Sequence, residues 1–483
     1  MSKDKLGISR RGIIGGAAAV AAARAQRGSS QTESGLGNDQ RPNIVFIIAD
    51  DLRYDGLSCT GHRFASTPHI DRLAREGVTF SNFFTVLPLC SPSRASFLTG
   101  RYPHNHRIIN NDKHGLAEIS YTLPTFPRIL YESGYETAFI GKWHMGFDDS
   151  RRPGFDHWVS FHAQGLYINS VMNVDGAQEQ FRGYTTDFLN QKAVDFIARP
   201  RSRPFVLYLA HKAVHLPYLP AARYEQLYKD AKYTPPPSAP GDVKGKPVLH
   251  IDSPPVNVLE LEDATPEPQE SRRGRPRTPD AIVRDQARCL ASVDEGVGMI
   301  LEVLELTGHL ENTLIVFTSD NGYLMGEHGL FDDKRWAYEE SIRLPCLMRF
   351  PKLIPAGSRR EQIALNIDIA PTMLDLAGVK WFEKMDGKSL VPVLQDAKAP
   401  LRESFLGEYF IEKVARKVPA WQSVRTDRWK YIHYPALQKM DELYDLSSDP
   451  HELENLYGNP AHGAELDRLQ TELDRLLHES GAK

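Results

Sequence analysis

Asn43-Ile44-Val45-Phe46-Ile47-Ile48-Ala49 is an unbroken apolar run that ends on Asp50-Asp51. Alternating polarity would mark a strand with one wet face. An unbroken run predicts a strand covered on both faces, as in a parallel sheet between helices. In open α/β sheets ligands bind beyond the carboxyl ends of the strands, so this sequence delivers two carboxylates to that edge. The pattern recurs far downstream, where Thr313-Leu314-Ile315-Val316-Phe317-Thr318-Ser319 runs into Asp320-Asn321-Gly322. Between them, Glu136-Thr137-Ala138-Phe139-Ile140 leads to Gly141-Lys142-Trp143-His144, and Pro204-Phe205-Val206-Leu207-Tyr208-Leu209-Ala210 leads to His211-Lys212-Ala213-Val214-His215. Two strands therefore end in acids and two in cations or imidazoles, a complementary set for an anion held on a metal.

Helical stretches separate these runs: 68–76, 125–133, 186–199 and 279–306, the last with apolar spacing through Ile282, Ala287, Leu290, Val293 and Val297. Strand and helix alternate, which predicts an α/β domain over 42–395, a large, mostly parallel sheet sandwiched by helices. Within it, 233–279 is rich in proline and charge and reads as a surface insertion without core. Past residue 396 the pattern changes to short strand-like pieces around Phe405, Val424, Tyr431 and Leu443, followed by a helix near 463–479. These predict a smaller C-terminal subdomain, 396–483, of antiparallel sheet plus helix.

Composition narrows the chemistry. The 483 residues carry a formal net charge of -4 with 25% charged residues, which implies no general attraction to nucleic acid. Cys59, Cys90, Cys289 and Cys346 are widely spaced and form neither a disulfide framework nor a zinc site. Carboxylates with an amide carbonyl suit Ca²⁺ or Mg²⁺ rather than a softer metal. Gly326-Glu327-His328-Gly329 and Lys334 follow the second acidic strand closely enough to reach the same pocket.

Residues 1–25 read as a twin-arginine signal peptide, with Arg10-Arg11 before a Gly/Ala run and Ala23-Arg24-Ala25 as a small-x-small cleavage site. The run is too short to span a bilayer stably, and 26–41 reads as a flexible linker. The expected destination is the periplasm or extracellular space of a bacterium, reached through the twin-arginine export machinery.

Cys90-Ser91-Pro92-Ser93-Arg94, followed by Thr99-Gly100-Arg101, opens a helical stretch whose N-terminus and Arg94 would hold an anionic group. This stretch resembles the signature of the type I sulfatases, C-x-P-S-R-x-x-x-x-T-G-R, whose cysteine a maturation enzyme oxidises to Cα-formylglycine. The resemblance runs from about residue 42 to 456 through Asp50-Asp51, Lys142-Trp143-His144, His215-Leu216-Pro217, Asp320-Asn321-Gly322 and Glu442-Leu443-Tyr444-Asp445-Leu446. It implies an alkaline-phosphatase-like fold and a sulfuric ester hydrolase. Asp50, Asp51, Asp320, Asn321 and modified Cys90 would bind one divalent cation, usually calcium. A gem-diol at position 90, activated by the metal and Arg94, would attack sulfur. Lys334 and His215 would hold sulfate and assist the leaving alcohol, and His144, beside Lys142, would take the proton that lets sulfate depart.

The partner implied for maturation is a formylglycine-generating enzyme or an anaerobic sulfatase-maturating enzyme. His104, Asn105 and His106, followed by Asn110-Asn111, resemble the corresponding segment of N-acetylglucosamine-6-sulfatases and stand as candidate contacts to a sulfated carbohydrate. The alternatives are a phosphonate monoester or phosphodiester hydrolase of the same superfamily, and an inactive carbohydrate-binding relative. His211 and His328 carry no assigned role.

Overall fold

Buried along its whole length, the Asn43–Ala49 strand lies inside the largest sheet of the molecule. The computed structural model describes residues 41–111, 115–239, 245–250, 278–381, 383–412 and 418–483. The predicted signal peptide, nearly all of the linker, and 240–244 and 251–277 of the proline-rich segment lie outside the described residues.

In chain order the first strands are β1 (Asn43–Ala49), β2 (Val78–Phe80), β3 (Phe83–Phe84), β4 (Glu136–Gly141), β5 (His157–Ser160), β6 (Val171–Val174), β7 (Ala177–Gln180) and β8 (Phe205–Ala210). Then come β9 (Thr313–Ser319), β10 (Leu324–Met325), β11 (Phe331–Asp333), β12 (Cys346–Arg349), β13 (Ser358–Arg360) and β14 (Ala364–Leu365). The C-terminal strands are β15 (Ser404–Tyr409), β16 (Trp421–Thr426), β17 (Trp429–His433) and β18 (Glu442–Asp445). Ten of these form one sheet in the order β13-β2-β12-β9-β1-β8-β4-β5-β6-β7.

The middle of the sheet, β9-β1-β8-β4-β5, is parallel, as expected. Its flanks bring in antiparallel pairs: β12 runs antiparallel to β9 and β2, with β13 parallel to β2 at the edge, and β5-β6-β7 form an antiparallel ribbon. The sheet is therefore mixed. Tight connections, such as Val174 to Ala177, join neighbours that need no helical crossover.

Successive β1 residues feed two different cores, which is why the run is apolar without interruption. Ile44, Phe46 and Ile48 pack with Phe97, Phe126 and Tyr208. Val45, Ile47 and Ala49 pack with Leu290, Val293 and Val297 of the Pro279–Leu306 helix. Register fixes the level at which the strands end. Ala49 lies opposite Ser319, Ile48 opposite Ala210, and Ala210 opposite Gly141. Asp50, Asp320, His211 and Lys142 consequently leave the sheet along one edge.

The C-terminal sheet, β15-β16-β17-β18, is antiparallel throughout and is covered by the Gly463–Ser480 helix through Leu469, Leu473 and Leu477. Its core is continuous with Phe84, Val86 and Leu89, the segment that leads into Cys90. The proline-rich segment departs from expectation. Val248 is buried in this same core, and the buried Lys246 ammonium donates to the Tyr444 hydroxyl and to the Glu452 carbonyl. These two residues of a stretch too polar to form a core of its own are buried against one supplied by the C-terminal sheet.

Candidate active site

Cys90 is the first residue of the Cys90–Thr99 helix, all of which is buried. Leu89 precedes it in extended conformation, and Gly100, with φ +67°, closes the helix by donating to Ser96 O. Such an end leaves the first amides and the positive end of the helix dipole around Cys90. Arg94, one turn on, lies on the same helix side. Its Nε and Nη2 are each 2.9 Å from Asp320 Oδ2, and Nη1 donates to Lys142 O at 2.7 Å. One guanidinium thus ties β9's end to β4's end above the helix.

The strand ends interlock. Asp51 N–H donates to Asp320 Oδ1 (3.1 Å), and Asn321 Nδ2 donates to Asp51 Oδ1 (2.7 Å). The Lys142 ammonium donates to Asp50 Oδ2, and Lys334 pairs with Asp51 Oδ1. Lys334 Nζ is also 3.0 Å from Cys90 Sγ, which in turn lies 3.8 Å from Asp50 Oδ1. His215 Nε2 is 3.7 Å from Asp51 Oδ2. Asp51 and His144 hold left-handed backbone, φ 61° and 62°, a cost that the surrounding bonds sustain.

Burial and charge set the protonation states. Burial opposes ionisation of Asp50, but Lys142, His215, Arg94 and Lys334 outweigh it and hold that carboxyl well below the usual range. Asp320 is pushed up to about 6 by burial and by Asp50. Burial raises the Cys90 thiol. His215 is pushed down to about 3 by burial, and His144 falls well below its ordinary value through burial and the Lys142 charge, so both imidazoles are neutral.

Oxygens of Asp50, Asp51 and Asp320 all lie within 4.8 Å of one another, as do donor atoms of Asp50, Cys90 and His215. Asp51 Oδ2 and Asn321 Oδ1 are buried and accept no hydrogen bond among the described residues. A hard divalent cation fits this set of oxygen donors. The match of the chain to known families agrees: the family model described as Sulfatase covers residues 42–379.

The chain belongs to the sulfatase family.

Within this sulfatase, residues 326–479 also match the model described as N-sulphoglucosamine sulphohydrolase, C-terminal. The N-acetylglucosamine-6-O-sulfatase of Bacteroides thetaiotaomicron is 34% identical over 91% of this chain and 86% of its own length. Human N-acetylglucosamine-6-sulfatase is 32% identical over 77% of this chain and 67% of its own. The solved structure of BT4656 in complex with its substrate D-glucosamine-2-N,6-O-disulfate superimposes with TM-score 0.80 at 31% identity, over 92% of this chain and 99% of the other. Sulfatases work with a metal ion and a cysteine-derived formylglycine, and Cys90 with its acidic neighbours is what this member offers.

His104, Asn105 and His106, the expected sugar contacts, are engaged by the protein's own atoms. His104 Nδ1 lies 2.9 Å from both Glu408 carboxylate oxygens and Nε2 lies 3.1 Å from Ser480 O. Asn105 Nδ2 donates to Asp386 Oδ2 and Ser480 O. His106 is buried between Ser96 Oγ and Ile108 N–H. His104 and Asn105 thus tie the segment after the signature helix to the C-terminal end, and His106 ties it back to Ser96 of that helix.

His328 belongs to a separate buried cluster, its ring tilted 33° against Tyr338 with centroids 4.0 Å apart and with Nε2 4.0 Å from Glu340 Oε2. His211 is wholly buried, with both ring nitrogens unpartnered among the described residues. Sequence reasoning passed over Gln164, whose amide nitrogen lies 3.0 Å from His144 Nε2, and over Arg335 and Glu412. Gln164 had a usable signal: it lies just beyond the carboxyl end of parallel strand β5.

Proposed function

We propose that this sulfatase is an exported glycan sulfatase that removes the 6-O-sulfate of a glucosamine-type sugar, with formylglycine at position 90 and one calcium ion. The observation that carries the chemistry is the meeting at Cys90 of Lys334 at 3.0 Å and Asp50 at 3.8 Å, inside a cluster assembled from four strand ends. The sugar rests on the likeness to N-acetylglucosamine-6-O-sulfatase and on the disulfated glucosamine bound by BT4656. Arg10-Arg11 and the Gly/Ala run after them support export by the twin-arginine route, and no helix among the described residues is long and apolar enough to cross a membrane. A maturation enzyme is the partner that Cys90 requires.

When present, formylglycine supplies a hydrated aldehyde whose hydroxyl attacks sulfur and from which sulfate can later be expelled, and the cation polarises a sulfate oxygen. Asp50, Asp51, Asp320 and Asn321 would hold the cation, with Arg94 fixing Asp320 in place. Lys334 and Lys142 balance negative charge in a buried site, where each charge counts for more. Lys334, whose ammonium lies 3.0 Å from Cys90 Sγ, is placed to give the proton needed by the departing alcohol, with neutral His215 beside Asp51 lining the same site. His144, neutral and oriented by Gln164, accepts the proton from the group at position 90.

The test is sulfate release from N-acetylglucosamine 6-sulfate by protein co-expressed with a maturation enzyme, together with mass spectrometry of the Cys90 peptide. Conversion of Cys90 to formylglycine and release of sulfate are expected, and Cys90→Ala should lower turnover by at least about 10³-fold without loss of the fold. Faster turnover of an aryl phosphonate, or a persistent thiol with sugar binding alone, rejects the reading.

A further inference from the structure

Away from the Cys90 site, one other group of imidazole and carboxylates among the described residues is close enough to share an ion. It consists of His328, Glu340 and Glu452, with a donor atom of each within 4.8 Å of the others. The three come from separate stretches of chain. His328 stands in the turn after β10, Glu340 lies on the Glu339–Ile342 helix, and Glu452 follows β18. They are 1%, 4% and 0% exposed, so water does not satisfy their polar atoms.

Buried polar atoms ordinarily find a hydrogen bond. Neither ring nitrogen of His328 has one among the described residues, and neither does Glu340 Oε2. Their mutual 4.0 Å is too long for a hydrogen bond. Nearby cations are committed to other acids. Lys430 Nζ lies 2.8 Å from both Glu339 Oε1 and Glu452 Oε1, and Arg425 faces Glu339 at 3.2 Å. Arg53 is held at 2.7 Å by Asp55 and by Glu327, and the Lys246 ammonium donates to Tyr444 and to Glu452 O. No lysine or arginine of the described residues pairs with Glu340, and burial with Glu327 and Glu452 pushes its carboxyl up to about 8. Burial and the charges of Lys246 and Lys430 push His328 down to about 2, so its imidazole is neutral and keeps a lone pair for a metal. The cluster thus holds one carboxyl without a counter-charge beside one imidazole without a hydrogen bond.

We propose that His328, Glu340 and Glu452 bind a second divalent ion, of the zinc type, that ties the turn after β10 and the Glu339–Ile342 helix to the segment after β18. An imidazole with two carboxylates suits Zn²⁺, whereas Ca²⁺ takes oxygen donors alone. Zinc bonds of about 2.0–2.2 Å set tetrahedral donors about 3.4 Å apart, so side-chain shifts of about 1 Å close the set. Glu452 Oε1 shares the ion with Lys430, which Glu339 and Ala337 O hold from its other sides. Glu340 also lines a cavity of about 270 Å³, whose exposed residues Arg63, Lys232 and Thr234 connect it to solvent. That cavity gives the ion an entry path and a water for its fourth position. Ser341, beside Glu340, accepts the Gly322 N–H, so the same ion braces the turn that carries Asp320 and Asn321.

The experiment titrates Zn²⁺ by calorimetry into Cys90→Ala protein in millimolar Ca²⁺, with metal analysis of the dialysed product. The substitution removes the thiol at position 90, and Ca²⁺ competes for the oxygen donors of Asp50, Asp51 and Asp320. The same protein is compared with added Glu340→Gln or His328→Asn. Glutamine keeps the shape of Glu340 without a charge, and asparagine tolerates the left-handed backbone of His328, φ 55°. One equivalent of Zn²⁺ that Ca²⁺ does not displace is expected, with a melting temperature that rises with Zn²⁺ concentration. Each variant should weaken that binding by at least about 100-fold, since loss of a ligand exceeds the 10- to 100-fold cost of losing a ligand's own support. Absence of a Ca²⁺-resistant equivalent in the Cys90→Ala protein overturns the proposal, whether or not the variants fold. So does Zn²⁺ binding of unchanged affinity in either variant.

Discussion

Asp50 shows how a buried carboxylate is held ionised. It is fully buried, so its charge depends on Lys142, with His215, Arg94 and Lys334 adding to the effect. Deleting one partner of a buried pair leaves an uncompensated charge and costs about 3–5 kcal/mol. Lys142→Met should therefore lower stability by about that amount in chelator, and millimolar Ca²⁺ should restore part of it by replacing the lost positive charge. Thermal melts with and without Ca²⁺ check this; equal melting of variant and wild type in chelator would show that the pair contributes nothing. The acidic and basic types at this site are visible in the sequence. That Lys142 serves Asp50 while Lys334 serves Asp51 is not, because partners separated by up to 283 residues meet only through the sheet.

The strand ends are the working parts at the next level up. A strand buried on both faces must stop where its polar continuation begins, and in-register parallel neighbours stop together. Gly322, immediately after Asp320-Asn321, lets β9's continuation lie against the Glu339–Ile342 helix: its N–H donates to Ser341 O at 2.9 Å, and an added Cβ would lie 2.0 Å from Glu340 O. Gly322→Ala should push Asn321 away from Asp51, weakening Ca²⁺ binding by about tenfold or more and costing about 2–4 kcal/mol of stability. Calcium titration calorimetry and denaturant unfolding measure the two effects, and unchanged affinity would mean that the close approach does not position the site. Apolar runs and helix spacing disclosed the central strands and the 68–76 and 279–306 helices at the observed bounds. The antiparallel strands escaped notice, since short exposed strands such as Ala177–Gln180 carry little apolar signal.

In the molecule as a whole, the C-terminal sheet acts on the catalytic side through contacts that no motif announces. His104, close after the signature helix, is clasped by Glu408 of β15 and by Ser480 at the end of the last helix. Burial works against its positive charge, but hydrogen bonding and attraction from Glu408 prevail and raise its pKa above the ordinary 6.5. The folded state therefore binds this proton more tightly than the unfolded chain. The stabilisation is complete below pH 6.5 and is lost as pH rises through the raised value. The melting temperature of the wild type should accordingly carry a component that falls as pH rises above 6.5 and is missing in His104→Gln; identical pH profiles would exclude the clasp. Metal acts on the same fold by mass action. Chelation should abolish sulfate release and remove about 2.7 kcal/mol of the stability measured at a hundredfold excess of Ca²⁺ over Kd.

By itself the sequence determined the parallel centre of the sheet, the level of its acidic and basic strand ends, and the identity of Cys90 as the group they surround. Those features are local: polarity periodicity and motif spacing act within a few turns of chain and survive translation into structure. Only the tertiary structure decided that His104 and Asn105 hold the C-terminal helix while His106 braces Ser96 of the signature helix, that Lys246 and Val248 are buried, and that Arg335 is paired with Glu412 beside Lys334. An imidazole or guanidinium looks the same in sequence whether it meets a carboxylate or a substrate. Its role follows from which oxygen folding brings within hydrogen-bond reach, and for these residues that oxygen belongs to a part of the chain far away.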